Sequence, residues 1–185
     1  MNYKYLVDIL LSDDVYNTLK QNEKILFKLI PELKLCKGFE QNNQWHIYDV
    51  YEHILHVISG TKPNIYLRLA ALFHDIGKPI SYTEDNNGVG HFYNHWLESI
   101  AIYKKYQNKF GLTNDENNLV INLIFYHDIN IPKMNNEEIS KLIEMIGKEN
   151  ISLLFDLKRA DLLAQAPKYH ILLKDIENQE QRIKK

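Results

Sequence analysis

Residues 67–79 read Leu67-Arg68-Leu69-Ala70-Ala71-Leu72-Phe73-His74-Asp75-Ile76-Gly77-Lys78-Pro79. Leu67, Ala70, Ala71 and His74 fall at the spacing of one helical face. The spacing predicts a helix that opens at Pro63 and stops near Gly77-Lys78-Pro79, where glycine and proline punctuate the chain. That helix carries an imidazole and a carboxylate, His74 and Asp75, at the end of an apolar face. Carboxylates are rarely buried unless paired or bound to a metal.

Helical spacing continues in both directions. Upstream, Asp49 precedes a stripe of Val50, His53, Ile54, Val57 and Ile58, with Asp49 as N-cap and Gly60 as stop. Tyr5 to Leu33 reads as two or three short helices ending near Pro31. Downstream, Ser81 to Gly90 holds Thr, Asp, Asn and Gly and reads as a loop or short lid, a candidate for substrate contact. A helix is predicted from His91 to Phe110, stopped by Gly111. Thr113 and Glu116 form a capping box for a helix with Leu119, Val120, Leu123, Ile124 and His127. Asn136 starts another, with Ile139, Leu142, Ile143 and Ile146 on one face. The last two lie around Ile151 to Ala166 and after Pro167, and the polar tail from Glu177 to Lys185 is expected to fray. No segment alternates as a strand would, and 7 Gly and 5 Pro leave little material for a turn-rich β architecture. The expected fold is all-α: a helical bundle with a metal site in its core, residues 43–185, with residues 1–42 as a helical extension packed on it.

The chain has 185 residues, enough for one domain to bury a core. Lys and Arg number 22 against 24 Asp and Glu, a net charge of -2, which argues against a broad nucleic-acid face. Lys20, Lys24 and Lys28, and Lys104, Lys105 and Lys109, read as solvated faces. The single cysteine, Cys36, cannot form an internal disulfide and fits a reducing compartment. The Met1 end lacks signal-peptide character and no stretch reaches transmembrane length. The expectation is a cytoplasmic protein with no membrane partner.

The informative feature is where polar residues interrupt the apolar stripes. His53 lies inside its apolar face. Asp161 sits one turn past Leu157 and two past Leu154. His95 shares a face with His91 and Ser99, and His127 with Leu123 and Ile124. Such convergence in a bundle core is how metal sites are built from facing helices. Taken singly, each residue has a plainer reading: His53 a core histidine, Asp75 a turn residue, Asp161 a partner of Lys158. His46, His56 and His91 are weaker candidates, His170 reads as surface or packing, and Arg68 as one half of a structural ion pair. Lys78 either meets a phosphate or complements a helix end. Nitrogen and oxygen ligands without thiolate suit Mn, Fe, Co, Ni or Zn better than Mg.

His53, His74-Asp75 and Asp161, in that order, resemble the defining pattern of the HD superfamily. Asp49-Val50-Tyr51-Glu52-His53, Tyr126-His127-Asp128 and Arg159-Ala160-Asp161 are similar to further segments of it, and the likeness spans about Gly38 to Ala166. Gly77-Lys78-Pro79 and Gly90-His91-Phe92-Tyr93-Asn94-His95 most resemble the HD domain appended to some bacterial CCA-adding tRNA nucleotidyltransferases. The nucleotidyltransferase head is expected to be missing, since too little chain precedes Gly38. The resemblance implies a metal-dependent phosphohydrolase. One divalent ion would be held by His53, His74, Asp75 and Asp161, and a second by His95 and His127 with Asp75 bridging. Asp75 and Lys78 would be catalytic, with Lys78 and His91 contacting substrate. In the relatives the substrates are 2′,3′-cyclic phosphodiesters, 2′-nucleotides and phosphomonoesters, so nucleotides and RNA or tRNA ends are the implied partners. Two other readings stay open: a di-iron oxygenase, and a non-catalytic module binding RNA or protein.

Overall fold

The computed structural model of the protein describes residues 2–184. Four short helices come first: α1 (Tyr3–Leu10), α2 (Val15–Gln21), α3 (Glu23–Leu29) and α4 (Glu32–Cys36). After an irregular segment follow α5 (Val50–Ser59), α6 (Ile65–Phe73) and a one-turn α7 (Lys78–Ser81). Then come α8 (His95–Tyr106), α9 (Asn114–Tyr126), α10 (Asn136–Ile146), α11 (Ile151–Leu163) and α12 (Leu173–Lys184). This is an all-α bundle.

Helix α6 is its axis. Every residue from Leu67 to Phe73 is buried, as expected of a helix apolar all round. It packs on α5, α9 and α11, while α1 lies on α6, and α2 and α4 lie on α5. Leu6, Leu10, Leu19 and Leu33 join Ile54, Leu72 and Leu154 in one continuous core. Arg68 is buried within it and, among the described residues, forms no ion pair, contrary to the sequence expectation. Its guanidinium donates to the carbonyls of Leu10, Ser12 and Thr61, tying the end of α1 to α6.

Caps set several boundaries. The Asp49 carboxylate accepts from Glu52 N at 2.6 Å and from Gly38 N at 2.7 Å. Thr113 and Glu116 make the expected capping box, and Asn135 with Glu138 makes one at α10 that sequence reading passed over. Helix α6 is capped by Asn64, so Pro63 lies outside it.

Three further expectations need correction. Helix α6 ends at Phe73, four residues before Gly77, and His74 to Gly77 form a tight turn. Ser99 locks this turn: its hydroxyl donates to His74 O at 2.8 Å and accepts from Gly77 N at 3.0 Å. Helix α8 begins at His95 rather than His91, because Gly90–His91 (β2) pairs antiparallel with Thr83–Glu84 (β1). Gly90 fits there because a Cβ would meet Gln41 O at 2.5 Å. The polar C-terminal stretch is helical through Lys184, its Ile176 and Ile183 are buried, and Glu180 pairs with Arg159 of α11 at 2.6 Å. Lys185, also in the expected fraying tail, lies outside the described residues. No helix among the described residues is long and apolar enough to cross a membrane.

Candidate metal centre

Six side chains from separate places in the chain meet in the bundle interior. His53 comes from α5, and His74 and Asp75 from the turn after α6. His95 is the first residue of α8, His127 directly follows α9, and Asp161 lies in α11. His53, His74, Asp75 and Asp161 form one group that could hold a metal ion, and Asp75, His95 and His127 a second, with the ligand atoms of each within 4.8 Å of one another.

Asp75 belongs to both groups through different oxygens. Its Oδ2 lies 3.3 Å from Nε2 of His53 and 3.3 Å from Nε2 of His74. Its Oδ1 lies 3.1 Å from Nε2 of His95 and 3.7 Å from Nε2 of His127. Asp161 Oδ1 stands 3.0 Å from His53 Nε2. The alternative pairing of Asp161 with Lys158 does not form, because Lys158 Nζ donates to the carbonyls of His127 at 2.7 Å and Ile129 at 2.9 Å. That lysine instead holds the turn that presents His127.

The backbone fixes which imidazole nitrogens face inward. Nδ1 of His74 lies 2.7 Å from Ala71 O, that of His95 2.9 Å from Phe92 O, and that of His127 2.6 Å from Ile124 O. A carbonyl only accepts, so each Nδ1 carries a proton, and in its neutral form each ring turns its Nε2 lone pair to the centre. Nε2 of His95 and Nε2 of His127 are then 3.2 Å apart, with Asp75 Oδ1 beside them. Acceptors gathered this way repel unless a proton or a cation lies among them. The donor set fits a divalent ion, and the Nδ1–carbonyl bonds are the orienting contacts such ligands use. The single cysteine, Cys36, is buried with its thiol against the Ile76 carbonyl and belongs to neither ligand group.

Electrostatics agree with that arrangement. Burial alone would pull the His53 pKa down, but hydrogen bonds to Asp161 and Asp75 outweigh it and raise it to about 9. Burial would raise Asp161, yet the bond and charge of His53 hold it well below the usual carboxylate range. Asp75 is likewise held low, against burial, by the charges of His74 and Lys78.

Lys78 is no solvated cation: only 7% of its side chain is exposed, and its Nζ lies 2.6 Å from Asp75 Oδ2. It also donates to Gln41 Oε1 at 2.8 Å and meets His46 Nε2 at 3.2 Å. His46 therefore sits at the site. Burial and Lys78 lower its pKa to about 3. Neither the His46 nor the Gln41 contact was legible, because both depend on a loop packing on α7. His91 is not among the six: its Nε2 is 3.3 Å from Asp85 and its ring stacks on Tyr93. His56 stacks on Tyr48 with centroids 4.2 Å apart, and His170 faces Gln165 O. Lys20 and Lys105, members of the two basic stripes, pair with Glu52 and Glu32.

The centre opens into a cavity of about 990 Å³. Asp75, Lys78, His95, His127 and Asp161 form its floor, the Gly90 to Trp96 segment one side, and Trp45 and His46 another. Of the expected contact loop only Gly90 reaches it, and Asp175, Ile176 and Gln179 of α12 complete the wall. Trp45 is fixed by stacking on Tyr169 and by accepting from Ala166 N at 2.8 Å.

Compared with protein families, residues 45–166 match the HD domain. No curated protein matches the chain.

Proposed function

Because the chain belongs to the HD domain family, we propose that it is a metal-dependent phosphohydrolase acting on phosphomonoesters or phosphodiesters of nucleotides or RNA ends, 2′,3′-cyclic phosphates among them. The observation that carries this reading is Asp75, whose two oxygens face two groups of inward-turned imidazole nitrogens. We assign His53, His74, Asp75 and Asp161 as ligands of one ion, and His95 and His127, with Asp75, as ligands of a second. The set suits Mn, Fe, Co, Ni or Zn. Such ions, when bound, supply Lewis acidity toward a phosphoryl oxygen and lower the pKa of a water toward neutrality.

The chain's own residues do the rest. The carbonyls of Ala71, Phe92 and Ile124 hold three imidazoles in the ligating tautomer. Lys78 places a positive charge on the cavity floor beside Asp75, which favours an anionic substrate. His91 stands on the cavity wall, where it can contact the ester group. Asp175, Ile176 and Gln179 of α12 line the cavity that would receive the substrate. The catalytic unit in this reading is residues 43–185, with residues 1–42 as the helical extension, and the compartment is the cytoplasm.

The test is to purify the protein from metal-supplemented culture, measure bound metals, and assay a generic bis-phosphodiester and a phosphomonoester beside Asp75→Ala. One or two transition-metal ions per chain, with hydrolysis lost in the variant, are expected. A chain that binds no metal would overturn the reading.

A further inference from the structure

We propose that Gln41 and His46 are positioning residues of the metal centre, acting through Lys78 on the shared carboxylate Asp75. The inference rests on the metal reading above.

An ammonium has three hydrogens, and Lys78 Nζ has three acceptors: Asp75 Oδ2 at 2.6 Å, Gln41 Oε1 at 2.8 Å and His46 Nε2 at 3.2 Å. A lysine side chain has many rotamers to lose, so a head group with one partner would not stay in one place. Here each acceptor is itself fixed from behind. Gln41, only 2% exposed, donates its amide to Tyr48 O at 3.3 Å. Its backbone lies against Gly90, and the neighbouring Asn42 O accepts from Gly90 N at 2.9 Å. His46 Nδ1 lies 2.8 Å from Asn43 Oδ1. With its proton on Nδ1, the ring turns its Nε2 lone pair to Lys78.

The consequence falls on Asp75. Its Oδ2 faces His53, His74 and Lys78, while Oδ1 faces His95 and His127. Terminal carboxylate torsions are soft. A pinned ammonium on Oδ2 therefore keeps the carboxylate plane turned so that each oxygen serves its own group. Partners of ligating carboxylates commonly change metal affinity 10–100-fold when removed. Gln41 lies before the residues that match the family, 45–166, so this support comes from the adjoining loop.

Full-length protein is stripped with chelator and titrated with Mn²⁺ against a metallochromic indicator. The metal-free unfolding temperature is measured in parallel. Gln41→Met and His46→Phe should each weaken Mn²⁺ binding about tenfold. His46→Gln, whose amide oxygen can still accept from Lys78, should restore most of it. Unchanged Mn²⁺ affinity in both Gln41→Met and His46→Phe, with at most a lower unfolding temperature, would show a purely structural role and overturn the inference while leaving the metal reading intact. Wild-type protein that binds no Mn²⁺ or other divalent ion would overturn both.

Discussion

Replacing Gly77 with alanine puts a methyl carbon into a gap that does not exist. A Cβ there would stand 2.5 Å from His95 O, 2.6 Å from Ser99 N and 2.7 Å from Glu98 Cβ. Two of these are backbone atoms of α8, so no rotamer change relieves the contact. Ordinary contact begins near 3.4 Å, so α8 must retreat by about 0.9 Å. That motion draws His95 Nε2 from Asp75 Oδ1, now 3.1 Å away, and stretches the Ser99 bonds that lock the turn. Overpacking of this kind costs about 1–3 kcal/mol, a fall in Tm of about 2–12 °C for a chain of this size. The backbone itself raises no objection, since φ -80 and ψ -11 are right-handed helical values. If there were room, alanine would stabilise the protein by about 0.4–1 kcal/mol. The sign of the Tm change therefore decides. Thermal unfolding, metal content and hydrolysis should be measured together. On the two-ion phosphohydrolase reading, bound metal should drop toward one ion per chain, and hydrolysis should fall about a hundredfold, as for a 1 Å misplacement. A Gly77→Ala protein with raised Tm, or one that keeps both ions at full activity, would refute the reasoning.

Two further outcomes follow from the geometry. The folded pKa of His53, about 9, stands above its ordinary 6.5, so its stabilisation is complete below pH 6.5 and is lost as pH rises through 9. Asp161 and Asp75 are held below 3.8, so theirs is complete above that value and lost as pH falls. His46, held down near 3 by burial and Lys78, adds stability that is complete above pH 6.5 and is lost as pH falls below it, so metal-free protein should have its highest Tm near pH 6.5, and saturating metal should flatten the alkaline decline. A metal-free Tm that climbs from pH 6.5 to 9 would contradict this. Arg68→Met keeps the buried stem but leaves the carbonyls of Leu10, Ser12 and Thr61 without their donor. Urea unfolding should show a loss of about 2–3 kcal/mol with metal content unchanged, and an unaltered midpoint would show that those bonds contribute nothing.

The helices were legible because each carries its own periodicity and punctuation. The stripe from Val50 to Ile58 with Asp49 ahead of it became α5, and Thr113 with Glu116 opened α9. The convergence of His53, His74, Asp75, His95, His127 and Asp161 was readable for a related reason: polar groups on apolar faces must meet something inside. What escaped depends on contacts between distant segments. The β1–β2 pair is only two residues long on each side and is docked on Asn42. Lys78 looks like a helix-end cation in sequence, and its burial comes from Gln41, 37 residues away. Arg68 lies in the central helix as a charge without a carboxylate partner, satisfied by carbonyls that no local pattern reveals. The tail of α12 is polar in composition, but Ile176 and Ile183 suffice to seat it on the bundle.

The two halves of the centre share one anion unequally. Among the described residues, His53 and His74 have Asp161 as well as Asp75, whereas His95 and His127 group only with Asp75, through its Oδ1. On the two-ion reading proposed above, the first cation to arrive would meet two carboxylates. The second would meet a carboxylate already partly neutralised and a neighbouring positive charge. Filling would then be ordered, and the second step would lie at higher free-metal concentration. Such a centre would answer metal supply as a threshold: starved, it would hold a single ion, and only above a set level would it complete the pair.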